Sequence, residues 1–334
     1  MEIKPYQPDS STDSLTQLLR DTYGGSKHFD YFLADVKKAH AFCIGNGNIS
    51  FHPLAGSEDG KMRAHVALII DKRLPAGEAF FGFLESPKDA SVFNALWSRL
   101  VKEALDKGVS VLKGPVNGSI WHQYRCIKES DGSDLFTSEP FSEPYYYDFL
   151  TSCQPAAEIP YYSAYRDPFD VVLRVIGEDS YDTLAERGFS IRKTGRVASE
   201  ELLAVATISK TVFCGSWGYT ELTEREFADL YSSEKLTAHL NALYVLYKGD
   251  EIIGFCGTLK EDERTLICKT ICVLPRYQGL GLGNALAHRV HLDAKKSGFE
   301  RMVYALIRDG NKIQNFPKEG AVVFRRYAAF EFHL

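Results

Sequence analysis

The stretch Val273-Leu274-Pro275-Arg276-Tyr277-Gln278-Gly279-Leu280-Gly281-Leu282-Gly283-Asn284 sets three alternate glycines between a strand and a helix. Few features limit the fold of a chain more. Ahead of it, Thr265 to Val273 is rich in β-branched and apolar residues, which predicts a buried strand, and Pro275 ends it. Behind it, Leu282, Leu286 and Val290 recur every four residues among alanines, which predicts a helix closed by Gly298. A glycine loop that opens a helix directly after a strand reads as α/β.

The chemistry of such a loop is anion binding. The first turn of a helix carries backbone N–H groups without intrahelical partners and the positive end of the peptide dipoles, and glycines let a diphosphate approach them. A Walker A loop would need Lys-Ser/Thr after its last glycine, where this chain has Asn284-Ala285. A dinucleotide fingerprint beginning at Gly279 or Gly281 needs Gly or Ala where Asn284 or Leu286 stands, and Glu300 precedes the next strand instead of ending it. Both readings fail. Tight strand-to-helix packing with no ligand remains as the plain alternative.

The segment resembles the acetyl-CoA pyrophosphate loop of the GCN5-related N-acetyltransferases (GNAT), whose pattern is Gln/Arg-x-x-Gly-x-Gly/Ala after a strand. Gln278, Gly281 and Gly283 fill it, and Val273-Leu274-Pro275 matches the family's frequent strand ending. The order of elements from Phe189 to Leu334 is similar to the family's: a helix from Ser199 to Phe213, a loop through Trp217 and Tyr219, and a helix from Thr223 to Tyr231 with Thr223 and Glu226 as a capping box. A hairpin follows (Ala242 to Tyr247, Glu251 to Thr258), and after the glycine-loop helix come strands at Met302 to Ile307 and Ala321 to Phe332. The fold implied is α/β with a mixed sheet, in two tandem acyl-CoA N-acyltransferase-like domains, the first degenerate. Residues 1–175 would form the degenerate domain and 188–334 the acetyl-CoA-binding one, with Gly177-Glu178-Asp179-Ser180 as a linker.

The resemblance also implies a site. Main-chain N–H groups of Ile271, Cys272 and Val273 would bind the pantetheine and polarise the thioester, and Gln278, Gly279, Leu280, Gly281, Leu282, Gly283 and Asn284 would hold the diphosphate. Asn311 and Phe316 fall nearest the family's asparagine and tyrosine positions. Phe316 has no proton to give to a departing thiolate, Asn311 sits two residues late, and Pro317 shortens that helix. No carboxylate occupies Thr265 to Val273, and Glu261, Asp262 and Glu263 read as solvated hairpin residues. Tyr304 and Tyr219 are substitute acids, while His239 and His291 are expected at the surface. The catalytic assignment stays open.

The first half shows a similar order of elements with the loop erased. Helices are expected at Leu15 to Thr22, Tyr31 to Lys37 and Val92 to Leu105, and strands at Ala41 to Ile44, Ala64 to Ile70, Ala79 to Leu84 and Val109 to Leu112. Glu85-Ser86-Pro87-Lys88-Asp89 replaces the phosphate loop and would repel a phosphate. Gly114-Pro115-Val116-Asn117-Gly118-Ser119 is similar to a stretch of tandem acetyltransferase-like proteins, and reads equally well as a turn. The aromatic run from Tyr145 to Tyr165 lacks a basic groove, which disfavours base stacking and favours core packing.

A length of 334 residues suits two domains, and a net charge of -5 with a pI near 6.0 gives no electrostatic footprint for nucleic acid or anionic membrane. The N-terminus lacks a signal-peptide core and no apolar run approaches a membrane span, so a cytoplasmic location is expected. Seven cysteines without a C-x-x-C pair argue against a disulfide framework or a zinc ribbon, so no metal is expected. Cys268 and Cys272, four apart in one strand, are read as lying on one face and lining the core or the cleft. Acetyl-CoA is the expected co-substrate and a small-molecule or peptide amine the acceptor. An acyl-CoA-binding sensor without turnover and, more weakly, an aminoacyl-tRNA-dependent transferase are the alternatives.

Overall fold

The computed structural model describes residues 1–7, 13–176, 179–195, 197–231, 238–310 and 320–334. Its chain forms two compact units: Met1–Pro160 with Trp217–Thr220 and Arg326–Leu334, and Tyr161–Ser216 with Glu221–Arg325.

The first unit runs β1 (Ile3–Pro5), α1 (Asp13–Tyr23), α2 (Phe29–Gly45), β2 (Ile49–Glu58), β3 (Lys61–Asp71), β4 (Glu78–Glu85), α3 (Ala90–Asp106), β5 (Val111–Gly114), β6 (Cys126–Ser130) and α4 (Tyr145–Ser152). β1 to β4 pair antiparallel in chain order, and β4 pairs β5 in parallel through the α3 crossover. The sheet is covered on both faces, which is why β3 reads as a continuous apolar run. Val66 and Leu68 pack towards α3, in a cluster with Phe93, Leu96 and Leu100, while Ala67 and Ile69 pack towards α1 and α2, with Leu19, Phe32 and Val36.

The chain then passes through β7 (Ala157–Arg166) into α5 (Asp170–Ile176), α6 (Asp179–Glu186), β8 (Phe189–Thr194), α7 (Ser199–Phe213), α8 (Glu224–Tyr231), β9 (Leu240–Lys248), β10 (Glu251–Lys260), β11 (Thr265–Val273), α9 (Leu282–Lys296), β12 (Arg301–Arg308) and β13 (Val322–His333). Sheet order in the second unit is β7-β12-β11-β10-β9-β8, with β11 and β12 parallel. Leu282, Leu286, Val290 and Ala294 bury one stripe of α9 against Tyr244, Leu246, Leu266 and Met302. The α8 capping box is present: Thr223 N donates to Glu226 Oε2 at 2.6 Å and Glu226 N to Thr223 Oγ1 at 3.2 Å.

The units do not follow a single cut between residues 175 and 188. Tyr161 to Arg166 of β7 pair β12 in the second unit, and Phe330 to His333 of β13 pair β5 in the first. Gly177 and Glu178 of the expected linker lie outside the described residues. The expected strand at Ala41 to Ile44 is the end of α2, because Phe32, Val36, Ala39 and Cys43 form one buried helical stripe. β2 was not legible in the letters because Pro53 and Gly56 look like breakers. β1 covers only Leu54 to Gly56 on that side, so Pro53 withholds no ladder donor there.

Each unit carries one extra residue in the strand that precedes its crossover helix. In β4, the steps from Gly82 to Glu85 face only Ala67 to His65 of β3. In β11, Cys268 and Thr270 face the adjacent Thr258 and Gly257 of β10, so Lys269 has no register partner. A bulge shifts the alternation of side chains by one. Leu266 and Cys268 therefore share the α9 face with Ile271 and Val273, and Cys272 packs on the opposite face with Leu243, Val245 and Phe255. The expectation that Cys268 and Cys272 share a face fails for that reason.

Candidate functional site

In the second unit the sheet opens beside the glycine loop. The parallel ladder joins Thr265–Cys268 to Arg301–Tyr304. Beyond it β11 has its bulge, and β12 has an irregularity of its own: Leu306 takes a left-handed backbone (φ 57°), its N–H donates to Ser163 Oγ at 2.9 Å, and the register with β7 shifts between Tyr304 and Ile307. Among the described residues, Lys269 to Val273 have no ladder to β12, so that edge of β11 is open.

The Leu274 N–H bond to Ile253 O (2.9 Å) sets the phase of the β10–β11 ladder. Alternation then turns the main-chain groups of Cys272 towards β10 and those of Ile271 and Val273 outwards. Of the three N–H groups expected to face an acyl thioester, the strand presents Ile271 and Val273, while that of Cys272 is spent inside the sheet. Gln278 turns back on the strand end, its Nε2 donating to Val273 O at 3.0 Å.

A single 3₁₀ turn, Pro275–Tyr277, leads into the loop. Gly279 and Gly281 both adopt φ 80°, which a residue with a Cβ takes only under strain. A Cβ built on Gly279, Gly281 or Gly283 would meet no atom within 4 Å. Among the described residues nothing packs against these positions, so tight strand-to-helix packing does not account for the glycines. Gly281 is the N-cap of α9 and brings no capping side chain. Ala285 N makes the first helical bond, to Gly281 O at 3.1 Å, so the N–H groups of Leu282, Gly283 and Asn284 have no partner within the helix. Leu282 buries its side chain, whereas Leu280 and Asn284 are exposed.

Two basic side chains stand by the loop that the linear sequence did not single out. Arg187 Nη1 donates to Leu280 O at 3.2 Å, and Lys248 Nζ donates to Arg187 O at 2.5 Å. Both also lie over the Phe189 ring, at 5.3 and 4.4 Å from its centre. Arg187 is 93 residues from the loop in sequence, so no local signal could have paired them. Arg276 is committed to Glu251, whose second oxygen accepts the Tyr277 hydroxyl at 2.9 Å.

Tyr304 stands on the last paired rung of β12, opposite Cys268. Its hydroxyl lies 2.7 Å from His291 Nε2, and His291 Nδ1 lies 2.7 Å from Ala287 O. A carbonyl only accepts, so Nδ1 carries the proton and Nε2 accepts from the tyrosine. Burial lowers the His291 pKa to about 4, which keeps the ring neutral. Burial raises the phenol of Tyr304, against the opposing pull of Arg166, whose guanidinium lies 4.9 Å from the ring centre. His291 is 1% exposed, so its expected surface position is wrong: α9 turns it inwards. His239 is half-buried.

Asn311, Phe316 and Pro317 lie outside the described residues. Trp217 and Tyr219 pack with the first unit, Trp217 Nε1 donating to Glu331 Oε2 at 3.4 Å and Tyr219 meeting the Trp121 ring edge-on at 6.0 Å. Asp262 closes the β10–β11 turn by accepting from Arg264 N and Thr265 N at 2.8 and 2.7 Å, and Glu263 pairs with Lys260. In the first unit, the Asp89 carboxylate caps α3, accepting from Ser91 N at 2.8 Å and Val92 N at 3.4 Å. The donors that α9 leaves open are occupied there. Asn117 Oδ1 accepts from Phe83 N at 2.7 Å, a structural use of that side chain. Among the described residues no group of three His, Cys, Asp or Glu could hold a metal ion, and no helix is long and apolar enough to cross a membrane.

Residues 203–315 match the model of the acetyltransferase (GNAT) family. No curated protein matches the chain in sequence. Among solved structures, a tandem GNAT protein from the clavulanic acid biosynthesis pathway superposes with a TM-score of 0.61 at 12% identity, over 99% of this chain and 98% of that one. A GCN5-related glucosamine N-acetyltransferase region in a fungal multi-domain GH3 β-N-acetylglucosaminidase gives 0.55 at 13% identity, over 99% of this chain and 38% of that one. A GCN5-related N-acetyltransferase from Sphaerobacter thermophilus gives 0.52 at 11% identity, over 99% and 95%. At such identities the likeness is one of fold. With a strand, an open glycine loop and a helix start in the arrangement described, the chain has the fold of tandem GNAT proteins and carries an acetyltransferase (GNAT) family domain at residues 203–315.

Proposed function

We propose that the second unit is an acyl-CoA-dependent N-acetyltransferase that moves the acetyl group of acetyl-CoA directly to a primary amine of a small molecule or peptide. One observation carries the reading. The uncapped start of α9, with three glycines whose Cβ positions are empty, adjoins the open edge of β11. The first suits a diphosphate, whose oxygens would take the N–H groups of the Gly279 to Asn284 segment, with Arg187 adding positive charge. The second offers the N–H groups of Ile271 and Val273 to the carbonyl groups of a pantetheine and its thioester. Acetyl-CoA supplies the activated acyl group. The chain supplies orientation, and holding amine and thioester together accounts for most of the acceleration.

Tyr304 stands on the last rung that joins β11 to β12, opposite Cys268, and we assign it to proton transfer near the thioester sulfur. Its proton lies in a bond to the unprotonated Nε2 of neutral His291, so giving it to the departing thiolate breaks that bond, and a proton from water must restore it. The alternative, an acyl-CoA-binding sensor without turnover, is favoured by the lack of any carboxylate on β11. The deciding experiment measures CoA release from acetyl-CoA over a panel of amines, beside direct binding of acetyl-CoA. Binding with amine-dependent release supports the transferase, binding without release across the panel supports the sensor, and absence of binding overturns both.

A further inference from the structure

Each unit splits its sheet beside the strand that carries the extra residue, and different groups stand at the two splits. In the first unit β4 and β5 are parallel from Glu78 to Phe80 and from Val111 to Lys113, and beyond them Tyr23 and Tyr146 donate to the buried Glu85 Oε2 at 3.1 and 3.0 Å. In the second unit the last paired rung of β11 carries Cys268, whose sulfur lies 3.6 Å from that of Cys256 on β10. The bulge at Lys269 creates this contact. Cys256 pairs with Ile271 and Thr258 with Cys268, so two steps along β10 match three along β11. In an unbroken ladder the alternation would turn Cys268 away from the face that Cys256 and Ile271 share. The extra residue turns it back, and both sulfurs join the core on the α9 side.

The two thiols are unequal. Cys256 is 0% exposed, and its hydrogen bond to Cys268, with burial second, holds its thiol well above the ordinary range, so it keeps its proton at neutral pH. Cys268 is half-buried. A solute that reaches the split meets Cys268 first, with Cys256 behind it. As packing, the contact gains little, because S–H is a weak donor and sulfur a weak acceptor. As chemistry it is nearly made: a disulfide holds its sulfurs about 2.05 Å apart, so closure needs a movement of about 1.5 Å. The two strands are already held in register on both sides of the pair, so the approach requires no unfolding.

We propose that Cys256 and Cys268 form an oxidation site that a hydroperoxide converts to a disulfide in the folded chain. The Cys268 thiolate attacks the terminal peroxide oxygen and the O–O bond breaks. Cys268 becomes a sulfenic acid, and the leaving alkoxide takes the proton that Cys268 had released, departing as an alcohol, or as water from hydrogen peroxide. The sulfur of Cys256 then attacks the sulfenic sulfur: the S–S bond forms, the S–O bond breaks, and hydroxide leaves with the Cys256 proton as water. Two thiols lose two electrons and the peroxide gains them. The bridge ties β10 to β11 at the rung from which β11 and β12 part. A thiol reductant reverses it by exchange. The site needs no acyl-CoA, so it stands if the acetyl-transfer reading fails.

The test treats the full chain with hydrogen peroxide at neutral pH, without acetyl-CoA, then blocks the remaining thiols with iodoacetamide in urea and maps tryptic peptides. Cleavage after Lys248, Lys260, Arg264, Lys269 and Arg276 places Cys256, Cys268 and Cys272 on three separate peptides. The expected product is a Cys256–Cys268 link, lighter by about 2 Da than the two free peptides and reversed by dithiothreitol. It should outnumber links to Cys272 by about 10-fold or more in the native chain, and that preference should vanish when the oxidation is run in urea. The exposed Cys214 reports that oxidant reached the protein. Cys256→Ala should leave Cys268 as a sulfenic acid that dimedone traps, whereas Cys268→Ser should leave Cys256 reduced. Thermal melts check that each variant is folded, and the wild-type map stands without either. Any of three results would overturn the proposal: Cys214 oxidised with no Cys256–Cys268 link, links to Cys272 as frequent as that link in the native chain, or Cys256 oxidised as fully in Cys268→Ser as in wild type.

Discussion

Tyr304 and His291 share one proton-bearing contact of 2.7 Å, between a strand and the helix that follows the glycine loop. The phenol donates, the imidazole accepts on Nε2, and the Nδ1–H bond to Ala287 O fixes which nitrogen is which. The Phe169 ring meets the imidazole edge-on at 5.5 Å, and His291 is 1% exposed. The pair therefore links stability and proposed chemistry through one bond.

Tyr304→Phe removes the donor and leaves a buried acceptor on His291. A loss of about 1–3 kcal/mol in unfolding free energy is expected, measured by urea denaturation. In a cycle with His291→Phe the double variant should lose less than the sum of the two. If Tyr304 serves the acyl transfer, Tyr304→Phe should also lower kcat with KM for acetyl-CoA unchanged.

Acid should destabilise the protein in a defined window. His65 and His291 have folded pKa values of about 4, lowered by burial from an ordinary 6.5. The unfolded chain binds those protons first, so the contribution of each is whole above pH about 6.5, falls as pH drops, and is spent by about 4. Each is worth on the order of 3 kcal/mol across that window. Denaturation midpoints measured from pH about 7 to about 4 should fall continuously; a flat profile would show that neither ring is buried neutral.

Gly281→Asp should abolish acetyl-CoA binding, because it places a carboxylate among the open N–H groups of α9 and strains a backbone at φ 80°. Gly281→Ala carries only the strain, about 1 kcal/mol, and should bind more weakly with the fold kept. Arg187→Ala should raise the Kd for acetyl-CoA by roughly 3- to 10-fold, with a smaller effect at high salt. Calorimetric titration of the three variants separates these effects.

Thiol labelling should sort by burial. Cys214 is exposed and should react first with iodoacetamide at neutral pH. Cys272 and Cys126 are buried and their thiols are pushed up to about 12, so both should resist until the chain unfolds. Early labelling of Cys272, read by peptide mass mapping, would contradict the packing described for its face of β11.

Most elements of the second unit were legible because their signals are local. β11 was expected at Thr265 to Val273 and lies there, and the Thr223–Glu226 capping box was read from two letters at the right spacing. The first unit was harder. Phe42, Cys43 and Ile44 look strand-like alone, and only the buried stripe back to Phe32 makes them helical. His291 and Cys272 were misplaced for related reasons. An α9 stripe judged from its leucines says nothing of which histidine faces inwards, and a bulge at Lys269 cannot be seen without the partner strand that reveals it.

The letters from Val273 to Asn284 by themselves determined a strand, a loop able to adopt left-handed backbone and a helix start with open N–H groups, because a missing Cβ and an unpaired first turn are local properties of the chain. Only the tertiary structure decided which main-chain groups reach the open edge, which cation joins the loop and which polar groups are buried around the two splits of the sheet. Those depend on register, bulge parity and burial, which are set by partners as distant as Arg187 from Leu280 or Glu85 from Tyr146.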